Sequence, residues 1–146
     1  MSDSLQQKIK DLEFLLRREK MESRKKVKEV LYHILEIYDA QQQLLDIAAQ
    51  QSWEDVVKKF VTRFSVVSKI MLQSLQRSGA VQINSLGHPF NYEYHEVVEE
   101  KYQADVPAGE IIEVRQEGFL YKGEVLRMAK VVICSKKPSE TSETQT

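Results

Sequence analysis

The sequence predicts an α+β protein in which the helices come first and the strands follow. Three observations predict it. Residues 4–50 contain neither glycine nor proline, Gly79 stands at the end of a second amphipathic stretch, and beyond it β-branched residues alternate with polar ones between Gly/Pro turns. Segregation of this kind sets a helical layer beside a small sheet rather than building βαβ units.

In residues 4–50, Leu, Gln, Glu, Lys and Arg dominate, and all are good helix formers. Val27, Val30, Ile34, Ile37, Gln41, Leu44 and Ala48 recur at alternating steps of three and four, the seam of a helix that pairs with others. Ile9, Leu12 and Leu16 form a shorter seam in a different register. Between the two lies RREKMESRKKVK (residues 17–28), too charged to bury. This basic stretch reads as a solvated helix surface, with a contact surface for an acidic partner as the alternative.

At QQSWED (residues 50–55) the first helix breaks and a second begins. Ser52 is expected to cap the second helix, with Asp55 answering in a capping box, and the acids Glu54 and Asp55 suit a helix N-terminus. The second helix carries Trp53, Val57, Phe60, Phe64, Val67, Met71 and Ser74, and Val56, Val61 and Ile70 widen that stripe. Gly79, after Arg77-Ser78, is placed as a C-terminal cap. Two helices joined by a short turn cannot enclose so wide an apolar face. Self-association into a four-helix bundle, two helices from each subunit, would enclose it. The expected interface of this homodimer holds Val30, Ile34, Ile37, Val57, Phe60, Phe64, Val67 and Met71.

After Gly79, residues 80–84 alternate and Gly87-His88-Pro89 marks a turn. Val97-Val98 and residues 111–114 read as strands, separated by a Pro107-Ala108-Gly109 turn. Gly118 and a Lys122-Gly123 turn frame the ribbon QEGFLYKGEVLRMAKVVIC (residues 116–134), which ends in a strand over 131–134. KKPSETSETQT (residues 136–146) is polar and proline-broken and reads as a disordered tail. The plan is therefore a helical stalk and bundle over 1–79, a small β domain over 80–135, and a tail over 136–146.

Composition narrows function mostly by exclusion. With 21 basic and 22 acidic side chains in 146 residues, no overall field draws the chain to nucleic acid or an anionic membrane. No apolar run approaches bilayer-spanning length, and the first residues, MSDSLQQKIKDLEF, lack the apolar core of a secretory signal. A single cysteine, Cys134, forms no intramolecular disulfide and suits a reducing compartment. The expectation is a cytoplasmic protein with no nucleic-acid or membrane partner. His95-Glu96-Val97-Val98-Glu99 comes close to the zinc motif HExxH, but the second histidine is Glu99 and the paired valines argue against the helix this motif needs. With no phosphate loop, nucleophile elbow or CxxC pair, no metal, no cofactor and no enzymatic activity are expected.

The ribbon carries a resemblance. Gly118-Phe119, followed after the turn by Val125-Leu126-Arg127-Met128-Ala129-Lys130-Val131-Val132-Ile133, resembles the closing pattern of the GrpE family: glycine, aromatic, turn, then apolar-Arg-Pro-Ala-x-Val-x-Val. Upstream, Gly87-His88-Pro89-Phe90-Asn91-Tyr92-Glu93-Tyr94-His95-Glu96-Val97 is similar to the family's glycine, two positions, Phe-Asp-Pro and His-Glu-Ala. Residues 30–40 resemble its Leu-Leu-Pro-Val-Leu-Asp segment, and Gly79 and Pro107-Ala108-Gly109 fall where the family has similar residues. The likeness runs over about residues 20–133. Asn91-Tyr92 stands for Asp-Pro, Val97 for Ala and Met128 for Pro, and the N-terminal helix is shorter than the family's.

What the resemblance implies is a nucleotide exchange factor for DnaK-type chaperones, a homodimer whose β domain is a wing inserted against the chaperone's ATPase domain. The wing residues it offers for chaperone contact are Arg115, Tyr121, Lys122, Glu124 and Arg127, all expected to be exposed, with Arg17, Arg18 and Lys20 contributing from the helix. For Arg127, pairing inside the wing is the alternative to contact. Val114, Leu126, Val131 and Ile133 are expected on buried faces, and Gly118 as a backbone necessity. A GrpE-fold adaptor without exchange activity is the second reading, motivated by the shorter helix and by Glu124, where relatives often carry a base.

Overall fold

A computed structural model of the chain describes residues 2–138, so most of the expected tail, from 139 onward, lies outside the described residues. The elements are α1 (Ser2–Ala49), α2 (Asp55–Arg77), β1 (Ala80–Gln82), β2 (His95–Lys101), β3 (Ile111–Gln116), β4 (Phe119–Tyr121), β5 (Glu124–Arg127) and β6 (Ala129–Cys134). The α+β order predicted from sequence is the order observed. Two compact units are present, one up to Gln41 and one from Gln42 onward.

The first unit is helix alone. Leu5, Ile9, Leu12 and Leu16 are 62, 53, 65 and 55% exposed, so among the described residues nothing covers the short upstream seam. Burial begins at Leu31 and continues with Leu35, Tyr38 and Gln41. Gln41 belongs to the expected seam, but Leu31, Leu35 and Tyr38 lie one step round from it, and within the seam Val27, Val30 and Ile37 are exposed while Ile34 is half-buried. Each residue advances the helix by 100°, so Val30/Ile37 and Leu31/Leu35/Tyr38 form adjacent stripes of one wide apolar arc. One stripe is covered and the other is not.

In the second unit, the end of α1 lies beside α2. Gln42 Nε2 donates to Ser68 Oγ at 2.9 Å and the Trp53 indole N–H donates to the Ala48 carbonyl at 2.8 Å. The start of α2 differs from expectation. The cap residue is Glu54, in extended conformation, with no side-chain capping bond. Ser52 sits in the linker, too far back to reach the first free amides of a helix that begins at Asp55. The other end is as expected: Gly79 adopts φ +94°, the left-handed conformation that closes a helix at little cost only for glycine. Val57, Phe60, Phe64 and Val67 are 37, 68, 37 and 44% exposed, and the two phenyl rings stack with centroids 6.5 Å apart. The buried residues of α2 are Ser68 and Leu75.

The strands form two three-stranded sheets, β1-β4-β5 and β2-β6-β3. The first is antiparallel throughout; in the second, β2 runs parallel to β6 and β3 antiparallel to it. Ile111, Ala129 and Val131 form a buried cluster with Phe90, Val97, Val114 and Ile133 packed against it. Val131 is fully buried, and Val114 and Ile133 partly so, in line with the alternation expected for them. Gly118 joins the sheets. A Cβ there would lie 2.4 Å from the Ala129 backbone N, so the position requires glycine for close approach rather than for an unusual φ.

Candidate functional site

The residues offered for contact cluster on the β4–β5 hairpin and on β3. The hairpin turn is built by Lys122 (φ 49°) and Gly123 (φ 81°) between the paired residues Tyr121 and Glu124. Two consecutive positive φ values make a type I′ turn, whose twist matches that of the strands it joins. Lys122, Gly123, Glu124 and Val125 are exposed. Beneath them, Phe119, Tyr121 and Leu126 are 0, 4 and 4% exposed. The Lys122 N–H donates to the Gly79 carbonyl at 3.1 Å, which ties the tip to the end of α2. The Lys122 ammonium stands 5.5 Å from the centre of the Tyr121 ring, a cation–π contact that holds the base above the strand.

Tyr121 is a correction. It was expected to be exposed, and it is buried. β1 pairs with β4 so that Ala80 faces Tyr121, and the ring lies against Gly79, where a Cβ would come within 3.5 Å of Tyr121 Cε2. A side chain at Gly79 would touch the ring at ordinary contact distance; the position favours glycine for its φ of +94°. A bulge in the β4–β5 pairing, between Phe119 and Leu120, breaks the simple alternation. It leaves Val125 37% exposed beside Glu124. Sequence reasoning missed this apolar tip residue, and Gly118 ahead of β4 was the signal available.

Arg127 is partly buried. Its Nε donates to the Glu117 carbonyl at 2.8 Å and its guanidinium sits 5.7 Å from the Phe119 ring centre. Of the two roles left open for it, the structure displays the internal pairing. Arg115 reaches Glu99 and Glu113, each at 2.8 Å, and Lys101 approaches the same two carboxylates at 3.5 and 4.0 Å. Glu99 on β2 and Glu113 on β3 both face Val132 of β6, so these four side chains span the sheet. Being nearly half exposed, each pair contributes at most about 1 kcal/mol. Arg17, Arg18 and Lys20 are exposed on α1, and Arg18 pairs with Glu22 at 3.2 Å.

His95 opens strand β2, not a helix, and its ring is fully committed. The Asn91 backbone N–H donates to Nδ1 at 3.0 Å. Nε2 therefore carries the proton of the neutral ring and donates to Ser85 Oγ at 3.1 Å. The Ser85 hydroxyl in turn donates to the Ile83 carbonyl at 3.3 Å. Burial holds the His95 pKa below its usual value of 6.5, with a further push from His88. The ring is a brace between residues 83–85, 91 and 95. Among the described residues no group of three or more His, Cys, Asp or Glu side chains is placed to hold a metal ion, and no helix is long and apolar enough to cross a membrane.

Comparison with known proteins points one way. The family model for GrpE matches residues 1–135. "Protein GrpE" of Lawsonia intracellularis (strain PHE/MN1-00) is 32% identical over 94 residues, which is 64% of this chain and 50% of that protein. "Protein GrpE" of Acholeplasma laidlawii (strain PG-8A) is 32% identical over 79 residues, covering 54% and 42%. "Protein GrpE" of Gloeothece citriformis (strain PCC 7424) is 32% identical over 130 residues, covering 88% and 44%. The chain thus spans half or less of the length of these relatives.

Proposed function

The chain belongs to the GrpE family, and on that premise we propose that it is a nucleotide exchange factor. It acts as a cytoplasmic homodimeric co-chaperone that places its β domain, the wing, against the ATPase domain of a DnaK-type chaperone and promotes ADP release. The observation that carries this reading is the hairpin tip. Lys122, Glu124 and Val125 stand exposed on a type I′ turn whose base is three buried residues and whose Lys122 amide is bonded to the end of α2. Such a tip keeps its shape when it meets a partner, so little ordering is left to oppose binding.

Exchange needs no catalytic group. A wing that fits the open nucleotide cleft better than the closed one shifts the chaperone toward the open form, while ADP shifts it back. Linkage makes the weakening mutual, and a thousandfold effect on ADP requires about 4 kcal/mol of coupling. Glu124 and Lys122 supply charge of both signs at the tip, and Val125 an apolar contact between the strands' end and the cleft. Arg115 and Arg127, held by internal partners, shape the surface behind it, and Arg17, Arg18 and Lys20 contact the chaperone from α1.

The dimer is supported by the uncovered stripes. Val30, Ile37, Val57, Phe60, Phe64 and Val67 are each at least 37% exposed in the single chain, and Ile34 and Met71 flank them half-buried. Contiguous apolar faces of this kind mark interfaces. The test is stopped-flow release of labelled ADP from a panel of DnaK-type chaperones. Acceleration by the full chain, diminished by Glu124→Ala with at least one of them, is the expected result. Binding without acceleration would leave a GrpE-fold adaptor, and neither binding nor acceleration would end the proposal.

A further inference from the structure

The sheet β1-β4-β5 carries apolar residues on both of its faces. On one, Ala80, Phe119 and Tyr121 are buried. On the other, Val81 pairs with Leu120 and Leu120 with Val125, so these side chains stand in a single row across all three strands. Val81 is 46% and Val125 37% exposed, with Leu120 half-buried between them. An antiparallel sheet packed on one face ordinarily turns polar residues to solvent on the other. The neighbouring sheet does so, with Glu99, Lys101, Glu113 and Arg115 paired across it. Threonine at 81 and 125 would serve a strand equally well. The fold alone therefore does not account for an apolar row facing water.

The row is stiff. It spans two strand spacings, about 10 Å, and Val81 and Val125 have little rotamer freedom to lose. The Lys122 N–H to Gly79 carbonyl bond and the Ile83 N–H to Gly118 carbonyl bond, 3.1 and 2.8 Å long, hold β1 to β4 at either end. Size decides what can sit on it. Three side chains offer far less than the roughly 800 Å² per partner that a stable interface of its own requires, so the row is too small to join two copies of this chain. It is one part of a larger contact, and the contact it adjoins is the hairpin tip, since Val125 belongs to both. We infer that the row Val81–Leu120–Val125 is a contact surface of the wing, seated on a shallow apolar patch of the chaperone's ATPase domain beside the groups that meet Lys122 and Glu124. The inference rests on the exchange-factor reading above and extends its contact from the tip to Val81, on the strand farthest from β5. The two parts divide the work by range. Charges at the tip act at a distance and govern encounter, whereas the row acts only on contact and governs how long the complex lasts.

The test is the binding kinetics of the full-length chain on immobilised, nucleotide-free DnaK-type chaperones from the same panel. Val81→Thr combined with Val125→Thr keeps the β-branched shape and is expected to speed dissociation about tenfold, with the association rate and its salt dependence unchanged. Val81→Thr alone, away from the tip, is expected to give about threefold. Glu124→Ala moves the association rate and its salt dependence instead. Val81→Ile, which keeps the row apolar, is expected to keep the slow dissociation. If the double variant loses its melting transition, Val81→Lys on the exposed edge strand takes its place, with a still larger loss expected. Dissociation unchanged by Val81→Thr and Val81→Lys, in a chain that Glu124→Ala still weakens, overturns the inference and leaves the exchange-factor reading standing. A mass by light scattering that falls on Val81→Lys places a second copy on the row and overturns it as well. No binding of the unsubstituted chain to any chaperone of the panel overturns both.

Discussion

Gly118→Ala tests the join on which the wing depends. The added methyl carbon would stand 2.4 Å from the Ala129 N, 2.9 Å from Ile83 Cδ1 and 3.0 Å from the Ala129 Cα. Ile83 can turn its terminal methyl away. Ala129 cannot yield, since its N–H donates to the Tyr94 carbonyl at 2.9 Å and it opens strand β6, the centre of its sheet. Ordinary contact therefore demands that the start of β4 move off β6 by about 1 Å, an overpacking strain of about 1–3 kcal/mol. The same shift pulls on the bond from the Ile83 N–H to the Gly118 carbonyl, 2.8 Å long, worth about 1 kcal/mol. Together these give about 3 kcal/mol, or a fall of about 10 °C in the melting temperature of a domain of this size. Thermal unfolding followed by circular dichroism, with hydrogen exchange on the strands to localise the effect, measures it. A melting temperature within about 1 °C of the unsubstituted chain would show that β4 and β6 do not abut as described.

Four further outcomes are expected. Arg127→Ala loses a charge-assisted bond to the Glu117 carbonyl and the contact with Phe119, costing about 2 kcal/mol, so stability and exchange fall together. Glu124→Ala, at the exposed tip, changes chaperone affinity with a stability change within about 0.5 kcal/mol, and equal losses of stability in the two variants would contradict these placements. For His95, burial lowers the folded pKa below 6.5, so the unfolded chain binds the proton more readily. The stability it contributes is whole above pH 6.5 and is lost as pH falls below that value toward the depressed folded pKa. His95→Gln is expected to flatten the melting curve over that window, and an unchanged slope would remove the brace. Finally, Phe60→Asp with Phe64→Asp removes two partly exposed aromatic side chains from each subunit's share of the proposed interface, at least about 4 kcal/mol or a thousandfold in dimer affinity; light scattering that still gives a dimer at micromolar concentration would refute the bundle.

The helices and their break at residues 50–54 were legible because composition and glycine placement act locally, residue by residue. The Lys122-Gly123 turn was legible for the same reason, since two positive φ values are a local requirement. What was not legible is what distant segments do to each other. The parallel pairing of β2 with β6 leaves no mark in either strand's pattern. Tyr121 reads as a surface aromatic until β1 arrives opposite it. The seam on α1 was read as one stripe, whereas Leu31, Leu35 and Tyr38 take the cover and Val30 and Ile37 are left for something else. Periodicity reports that a face is apolar, but it cannot divide a wide face between two neighbours. Gly118 was correctly marked as a backbone requirement, though the reason is a neighbouring strand rather than its own torsion angle.

The bond from the Lys122 amide to the Gly79 carbonyl has a mechanical consequence. Gly79 ends α2, and the same residue holds the hairpin tip by that bond and by lying under Tyr121. Helix and hairpin thus share a joint, as a pointer is pinned to its shaft. A turn of α2 about its own axis is delivered directly to Lys122 and Glu124, and a small angular error at the helix becomes a displacement at the tip. In the homodimer proposed above, how the shaft is seated against its partner subunit then decides where the pointer aims. Substitutions on the outer stripe of α2 can re-aim it without altering a single strand residue.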